Sequence, residues 1–369
     1  MTASLRELRL RVSQATPGQP DLAHRAVHLY RTAGIRAVLV RASEKTLAAL
    51  KRQHAGERQS SQDPVVPAPR RITVERGWVP ARERSASLIS VVIPSYNHAQ
   101  FIRQAIRSIA DQTYKNVELI IIDDGSSDSS IDVIAQTLRE VEVQNVIFQQ
   151  QENRGAHDAI NNGILLSHGE YICILNSDDY FDSARLGKLL GFVTEEGKDF
   201  AFTEVNIVEE HQASQLKDSM RAWLRELDNF PTLGFSLLRF NGTTSSSNFF
   251  FSAKLVERIG LFRDFTFVHD WDFVLRALRD GEPGILREPL LNYRVHPGGT
   301  IAKARSADLA QEQYRAVLTD YFREIQGRFV PNPVAPSPNY WPGTFEKFVA
   351  DEDFLNRYTL ALPSPWSVW

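Results

Sequence analysis

From residue 88 onward, apolar and polar positions come in blocks whose period changes in a regular way. "LISVVIP" (88–94) is a short β-branched run that stops at Pro94. In "AQFIRQAIRSIADQ" (99–112), Phe101, Ile102, Ala105, Ile106 and Ile109 fall on one face at helical spacing. "VELIII" (117–122) is a second apolar run and ends at Asp123; hydroxyl-rich Ser126–Ser130 then leads into the helical pattern "IDVIAQTLREV" (131–141). "NVIFQQ" (145–150), "GAHDAINNGILLS" (155–167) and "YICIL" (171–175) repeat strand, helix and strand. Strands that read as near-continuous apolar runs and alternate with helices predict an α/β fold. Its sheet is mainly parallel and twisted, with helices on both faces. Further on, Trp271, Val274, Leu275 and Leu278 predict a helix starting near Asp270, and "ADLAQEQYRAVLTDYFREI" (307–325) predicts another.

The first 86 residues have a different character. Residues 21–53 carry apolar positions at helical spacing interleaved with Arg and Lys, broken at Gly34. Residues 54–86 are rich in Gln, Ser, Pro and Arg, the composition of a linker. Residues 1–85 hold 16 Lys and Arg against 7 Asp and Glu, and the remainder holds 26 against 38, so the net charge of −3 conceals a basic front and an acidic body. The expected organisation is a basic helical extension and linker (1–86), a catalytic-type domain (87–305, in halves 87–185 and 186–305), and a C-terminal helix with a Pro- and Trp-rich tail (306–369). The tail either packs on the domain or serves as an interaction segment. Two readings of residues 1–53 stand side by side: a packing or linker helix pair, or a basic amphipathic surface that touches anionic lipid or a membrane-bound partner. With 43% hydrophobic and 24% charged residues the chain can build a sizeable core. Its one cysteine, Cys173, excludes an intrachain disulfide and fits a reducing compartment. No secretory leader and no bilayer-length apolar run stand out. The expectation is a cytoplasmic protein, peripheral at the inner face of the membrane if the second reading of 1–53 holds, with no nucleic-acid partner.

The polar punctuation carries the chemistry. "PSYN", "DDGSSD", "ENRG" and "NSDD" follow the first four strands in turn. In a parallel sheet these four ends share one edge, where open α/β sheets bind ligands. Asp123 and Asp124 can accept hydrogen bonds from a nucleobase or ribose, or can organise a turn and cap. Tyr96 can stack on a base or pack on the next helix. Arg154 can meet a phosphate or remain a solvated loop residue. If strand alternation continued through "NSDD", Asn176 and Asp178 would share one side and Asp179 would point away. Two oxygen donors so spaced suit a hard divalent cation that also binds phosphates. Asp270 opens its helix and can be a general base, a cap, or both, whereas Asp272 fits the first-turn dipole position. His296, in "YRVHPGGT", is either a metal ligand or a structural histidine.

Taken together, "SVVIPSYNHAQFIRQAIRSIADQTYKNVELIIIDDGSSDSS" and "ENRGAHDAINNGILLSHGEYICILNSDDYF" closely resemble the nucleotide-binding half of family 2 glycosyltransferases of the GT-A fold. "SSSNFFFSAKLVERIGLF", "HDWDFVLRAL" and "YRVHPGGT" resemble the acceptor half. The resemblance implies inverting transfer of a hexose-type sugar from a nucleotide diphosphate sugar, commonly a UDP-sugar. The acceptor would be a carbohydrate, lipid-linked or protein-linked hydroxyl, as in bacterial-type surface polysaccharide or glycoconjugate assembly, and Mg or Mn would assist. It implies that Pro94, Ser95, Tyr96, Asn97 and Asp124 hold base and ribose, with Asp123 in support. Arg154, Asn176 and Ser177 would complete the nucleotide site, Asp178 and His296 would bind the metal, and Asp270 would be the base. Two departures stand out: Asn176 where the family's Asp-x-Asp pattern has an acid, and His269 where it often has one. A phosphoacceptor domain using Asp123 and Asp124 is a rival reading that the long second half disfavours. A binding module without turnover is another, supported by Asn176 and opposed by Asp178 and Asp270.

Overall fold

The computed structural model describes residues 86–209, 225–296, 299, 308–352 and 354. The chain divides into two units, Met1–Arg70 and Arg71–Trp369, and every described residue lies in the second. The basic extension, the linker up to residue 85 and the tail from residue 355 lie outside the described residues.

The first half follows the apolar blocks. Strand β1 (Ile89–Ser95), helix α1 (Ile102–Ala110), β2 (Val117–Asp123), α2 (Ser130–Glu140), β3 (Asn145–Gln150), α3 (Ala156–Leu166) and β4 (Tyr171–Ile174) succeed one another. All four strands are parallel, in the order β3-β2-β1-β4. Every residue of β1 and β2 is buried, as expected of strands covered on both faces. The face of α1 read from its spacing, Ile102, Ala105, Ile106 and Ile109, is the face it buries. The register matters most for function. Ser95 stands opposite Asp123, and Asp123 opposite Gln150, so the polar clusters after β1, β2 and β3 begin at one level.

The second half departs from a parallel sheet. After β5 (Tyr180–Phe181) come α4 (Arg185–Glu195), β6 (Phe200–Glu209), α5 (Leu233–Arg239), a 3-10 turn (Ser246–Asn248), β7 (Phe250–Ser252), α6 (Ala253–Ile259), α7 (His269–Asp280) and β8 (Gly284–Val295). The sheet continues β4-β7-β6-β8-β5; the β4–β7, β6–β7 and β5–β8 pairs are antiparallel and β6–β8 is parallel. Antiparallel pairing has a direct consequence: the start of β7 lies beside the end of β4. Cys173 faces Phe250, and Ile174 N donates to Phe249 O (3.1 Å). The 3-10 turn before β7 therefore sits against Asn176. In the same way, Tyr180 pairs with Asn292, which brings the end of β8 beside Asp178 and Asp179. Helices α8 (Asp308–Ile325) and α9 (Thr344–Val349) follow among the described residues. The Pro- and Trp-rich segment packs on the domain as far as Phe354, with Trp341 and Phe348 against Phe235 and with Phe354 against Phe322 and Phe348. Among the described residues no helix is long and apolar enough to cross a membrane.

Candidate active site

Strand β4 ends at Ile174, and Asn176–Asp179 form a turn closed by Asp179 N donating to Asn176 O (3.1 Å). The turn, not strand alternation, sets the side-chain directions. Even so, Asn176 and Asp178 line one cavity of about 130 Å³, together with Asp270, Tyr293, Arg294 and His296. Asp179 also borders it but is committed to the protein. Its Oδ1 accepts from Arg294 N (2.8 Å) and its Oδ2 from Ser247 Oγ (2.5 Å). Asp178 Oδ2 meets His296 Nε2 at 3.1 Å. Burial pushes both carboxyls up. For Asp178 this is outweighed by the His296 hydrogen bond and the field of His98 and His296, which hold it below the ordinary carboxylate value. For Asp179, burial and the adjacent Asp178 charge leave the carboxyl well above it. The two neighbouring acids are thus shifted in opposite directions, Asp178 down and Asp179 up.

Asn176 is held at both ends of its amide. Nδ2 donates to Ser245 Oγ (3.2 Å), Oδ1 accepts from Ser246 Oγ (3.1 Å), and its backbone N donates to Ser247 Oγ (2.9 Å). The serine turn is fixed from behind by a fully buried guanidinium. Arg185 donates to Asn248 Oδ1 (2.9 Å) and Asn248 O (3.1 Å), and also to Thr203.

Asp270 lies in the first turn of α7. Trp271 N donates to its Oδ1 (2.7 Å) and Asn241 Nδ2 to its Oδ2 (2.8 Å). Thr243 Oγ1 donates to Asn241 Oδ1 (2.6 Å), which fixes that amide with its NH₂ toward Asp270. Burial raises the Asp270 carboxyl above its usual range, and the His269 charge and these bonds only partly oppose it. That is the direction a general base working near neutral pH requires. Asp272 turns away from the cavity and pairs with Arg276 Nε (2.9 Å) and Arg263 Nε (2.8 Å). The Asn241–Ser247 loop bonds Asp270 through Asn241 and Asp179 through Ser247, and within it Thr244, which lines the cavity, has φ +75°. A β-branched residue there is strained, a state that persists only where its surroundings enforce it.

The other sequence-derived candidates form a neighbouring group at the ends of β1, β2 and β3, outside this cavity. Asn97 Oδ1 accepts from Ser127 N (2.8 Å). Both Asp123 oxygens accept from Ser126 (2.9 and 2.7 Å). Asp124 accepts from Gln151 Nε2 (2.7 Å), Arg154 N (2.9 Å) and Gly155 N (2.8 Å), leaving one lone pair on Oδ2 for a ligand. Burial raises both carboxyls. Pro94 and Ser95 are buried in β1, and Tyr96 stands 47% exposed at the lip. Arg154 keeps its side chain beside Glu152. Ser177 is not among the residues that line the cavity; its hydroxyl engages His98 Nδ1 at 2.8 Å.

The donor chemistry at the centre fits a divalent cation. One ligand atom from each of His98, Asp178 and His296 lies within 4.8 Å of the others. The sequence alone assigns no individual role to His98, Asn241, Thr244 or the serines of 245–247. The available signal was "NGTTSSS" (241–247), another polar run placed against a buried strand, "FFFS".

Comparison with known proteins bears on the family and the fold. Residues 90–260 match the sequence profile described as Glycosyl transferase family 2. An uncharacterized glycosyltransferase of Rickettsia typhi is 29% identical over 282 residues, covering 74% of this chain and 84% of the relative. A putative teichuronic acid biosynthesis glycosyltransferase of Bacillus subtilis, TuaG, is 35% identical over 121 residues, 33% of this chain and 48% of the relative. Among solved structures, S. aureus TarS 1–349 in complex with UDP-GlcNAc superposes with a TM-score of 0.54 at 18% identity, covering 73% of this chain and 72% of that one. This likeness places the fold in the GT-A type. A parallel first half, an antiparallel return that carries the serine turn to the Asn176–Asp179 turn, and the matched profile lead to one assignment: over residues 90–260, a little under half of its length, the chain is similar to the family 2 glycosyltransferases, on a fold of the GT-A type.

Proposed function

We propose that the chain transfers a sugar from a nucleotide diphosphate sugar to an acceptor hydroxyl with inversion at the anomeric carbon. The observation that carries this is the shared cavity: Asp178 and Asp270 face one volume from opposite halves of the sheet, the first held ionised and the second raised toward neutral pH. Asp270 takes the acceptor proton while Asn241 holds its carboxylate in place. The acceptor oxygen forms its bond to the anomeric carbon from one side, and the carbon–oxygen bond to the diphosphate breaks on the other. The diphosphate leaves with the electron pair. The loops after β1 to β3 seat the nucleoside, with Tyr96 against the base and Asp124 Oδ2 offering an acceptor. Asp178 and His296 would hold Mg or Mn, which supplies charge neutralisation for the leaving diphosphate when bound. Fixed groups around a small cavity work by positioning and preorganised electrostatics.

UDP-sugars are the donors to test first, being the class bound by S. aureus TarS. The B. subtilis relative supports surface-polysaccharide assembly as the setting, with a carbohydrate, lipid-linked or protein-linked acceptor. A cytoplasmic location with peripheral membrane contact through residues 1–53 belongs to the same proposal. The donor site is tested by thermal unfolding with UDP and GDP, with and without MnCl₂. One nucleotide diphosphate should raise the melting temperature, and raise it more with Mn. No shift with any nucleotide would remove the donor-site reading.

A further inference from the structure

Three separate elements deliver the cluster beside the cavity that Asp178 and His296 line: the loop after β1 brings His98, the turn after β4 brings Asp178, and the end of β8 brings His296. Two donors about 2.1 Å from one ion stand about 3 Å apart when cis and about 4.2 Å apart when trans. The His296 Nε2 to Asp178 Oδ2 separation of 3.1 Å meets the cis value, and the 4.8 Å limit across all three donors lies only slightly beyond the trans value. The rings are preset. Phe101 packs against both imidazoles, with centroids 5.8 Å from His98 and 4.8 Å from His296. His98 N is tied to Ser130 Oγ at 3.0 Å. The contact of His98 Nδ1 with Ser177 Oγ is the kind of outer hydrogen bond that fixes the tautomer and orientation of a ligating imidazole.

Asn176, the residue that would supply a second carboxylate, spends its side chain on Ser245 and Ser246 instead. The cluster therefore offers one carboxylate and two imidazoles. Mg(II) favours oxygen ligands and an octahedral shell, whereas imidazole favours first-row transition ions.

We propose that His98 is the third protein ligand of this cation site, beside Asp178 and His296, and that the site selects Mn(II) or Co(II) over Mg(II). The inference rests on the proposed function for the site's purpose, and its test reads metal binding alone. The full chain, stripped with EDTA, is titrated with MnCl₂ and MgCl₂ by calorimetry and with CoCl₂ by visible absorbance, with and without UDP. His98→Gln retains a side-chain amide that can hydrogen-bond Ser177; His98→Ala is the second variant, and both are checked by circular dichroism in EDTA. The wild type should bind Mn(II) at least about tenfold more tightly than Mg(II) and develop cobalt ligand-field bands. Both His98 variants should lose about tenfold or more in Mn(II) affinity, within the range seen when a ligand's support is removed. Variants within twofold of wild type, equal affinity for Mg(II), or a wild type that binds no ion with or without UDP would each overturn it. Failure to turn over any donor would instead remove the proposed function and leave the titration's answer about His98 standing.

Discussion

Asn176 shows how a single side chain can be right in place and different in role. Alternation along "YICILNSDD" sets Asn176 and Asp178 on one side, and both do line the cavity, but through a turn closed after β4. What sequence could not show is that a turn some 70 positions later would occupy both ends of the amide. That contact depends on antiparallel pairing of β7 with β4, which no local pattern announces. Ser247 is the most exposed to test, since its hydroxyl both accepts from Asn176 N and donates to Asp179. Ser247→Ala should destabilise the fold by about 1–3 kcal/mol in chemical denaturation, because buried partners are left unsatisfied. Cys173 gives a simpler check. Burial pushes its thiol up to about 11, and the neighbouring Arg185 lowers it only in part. The native protein should not react with a thiol reagent at pH 8, and the denatured protein should react fully.

At the scale of elements, the first half was legible because each buried strand is an unbroken apolar run that ends in a polar cluster. β1, β2, β3 and β4 and their three helices lie where the periodicity puts them. The second half was less so: β7 is three residues long, and β5 only two. Gly163, in the interior of α3, is a position where helix propensity and packing oppose each other. A Cβ there would collide with the side chain of Val92 on β1. Alanine gains about 1 kcal/mol of propensity, but overpacking costs about 1–3 kcal/mol, so Gly163→Ala should lower the melting temperature. Glu118, the second residue of β2, ties the strand to Ser90 Oγ (2.6 Å), His168 N (2.8 Å) and His168 Nδ1 (2.7 Å). Burial alone would raise its carboxyl, but the His168 contacts and Ser90 outweigh that and hold it below the reference value of 4.5. A depressed acid contributes stability that is present above the unfolded value and is lost as pH falls through the folded one. Glu118→Gln should therefore destabilise by about 1–2 kcal/mol at neutral pH, with the difference from wild type closing as pH drops below about 4.5.

Across the molecule, the two halves of the domain are joined by contacts as specific as those within them. Asn161 on α3 exchanges two hydrogen bonds with Phe262 (2.8 and 2.9 Å), and His157 reaches Asp264 at 3.0 Å. Such pairings hold the loops of the first half at a fixed distance from α7, and so hold Asp270 across the cavity from Asp178. Since the described core closes within Arg71–Trp369, we expect that unit to fold alone, with a single cooperative thermal transition. In the proposed reaction this cavity breaks the bond between a sugar and a nucleoside diphosphate, with Asp270 as base. Its most direct test is nucleotide release from a panel of sugar nucleotides by the wild type and by Asp270→Asn, with donor affinity measured in parallel. The expected result is release from at least one donor by the wild type, a loss of about 100-fold or more in the variant, and donor binding in the variant within about threefold of wild type. Release by Asp270→Asn at the wild-type rate, or no release from any donor by the wild type, would contradict it.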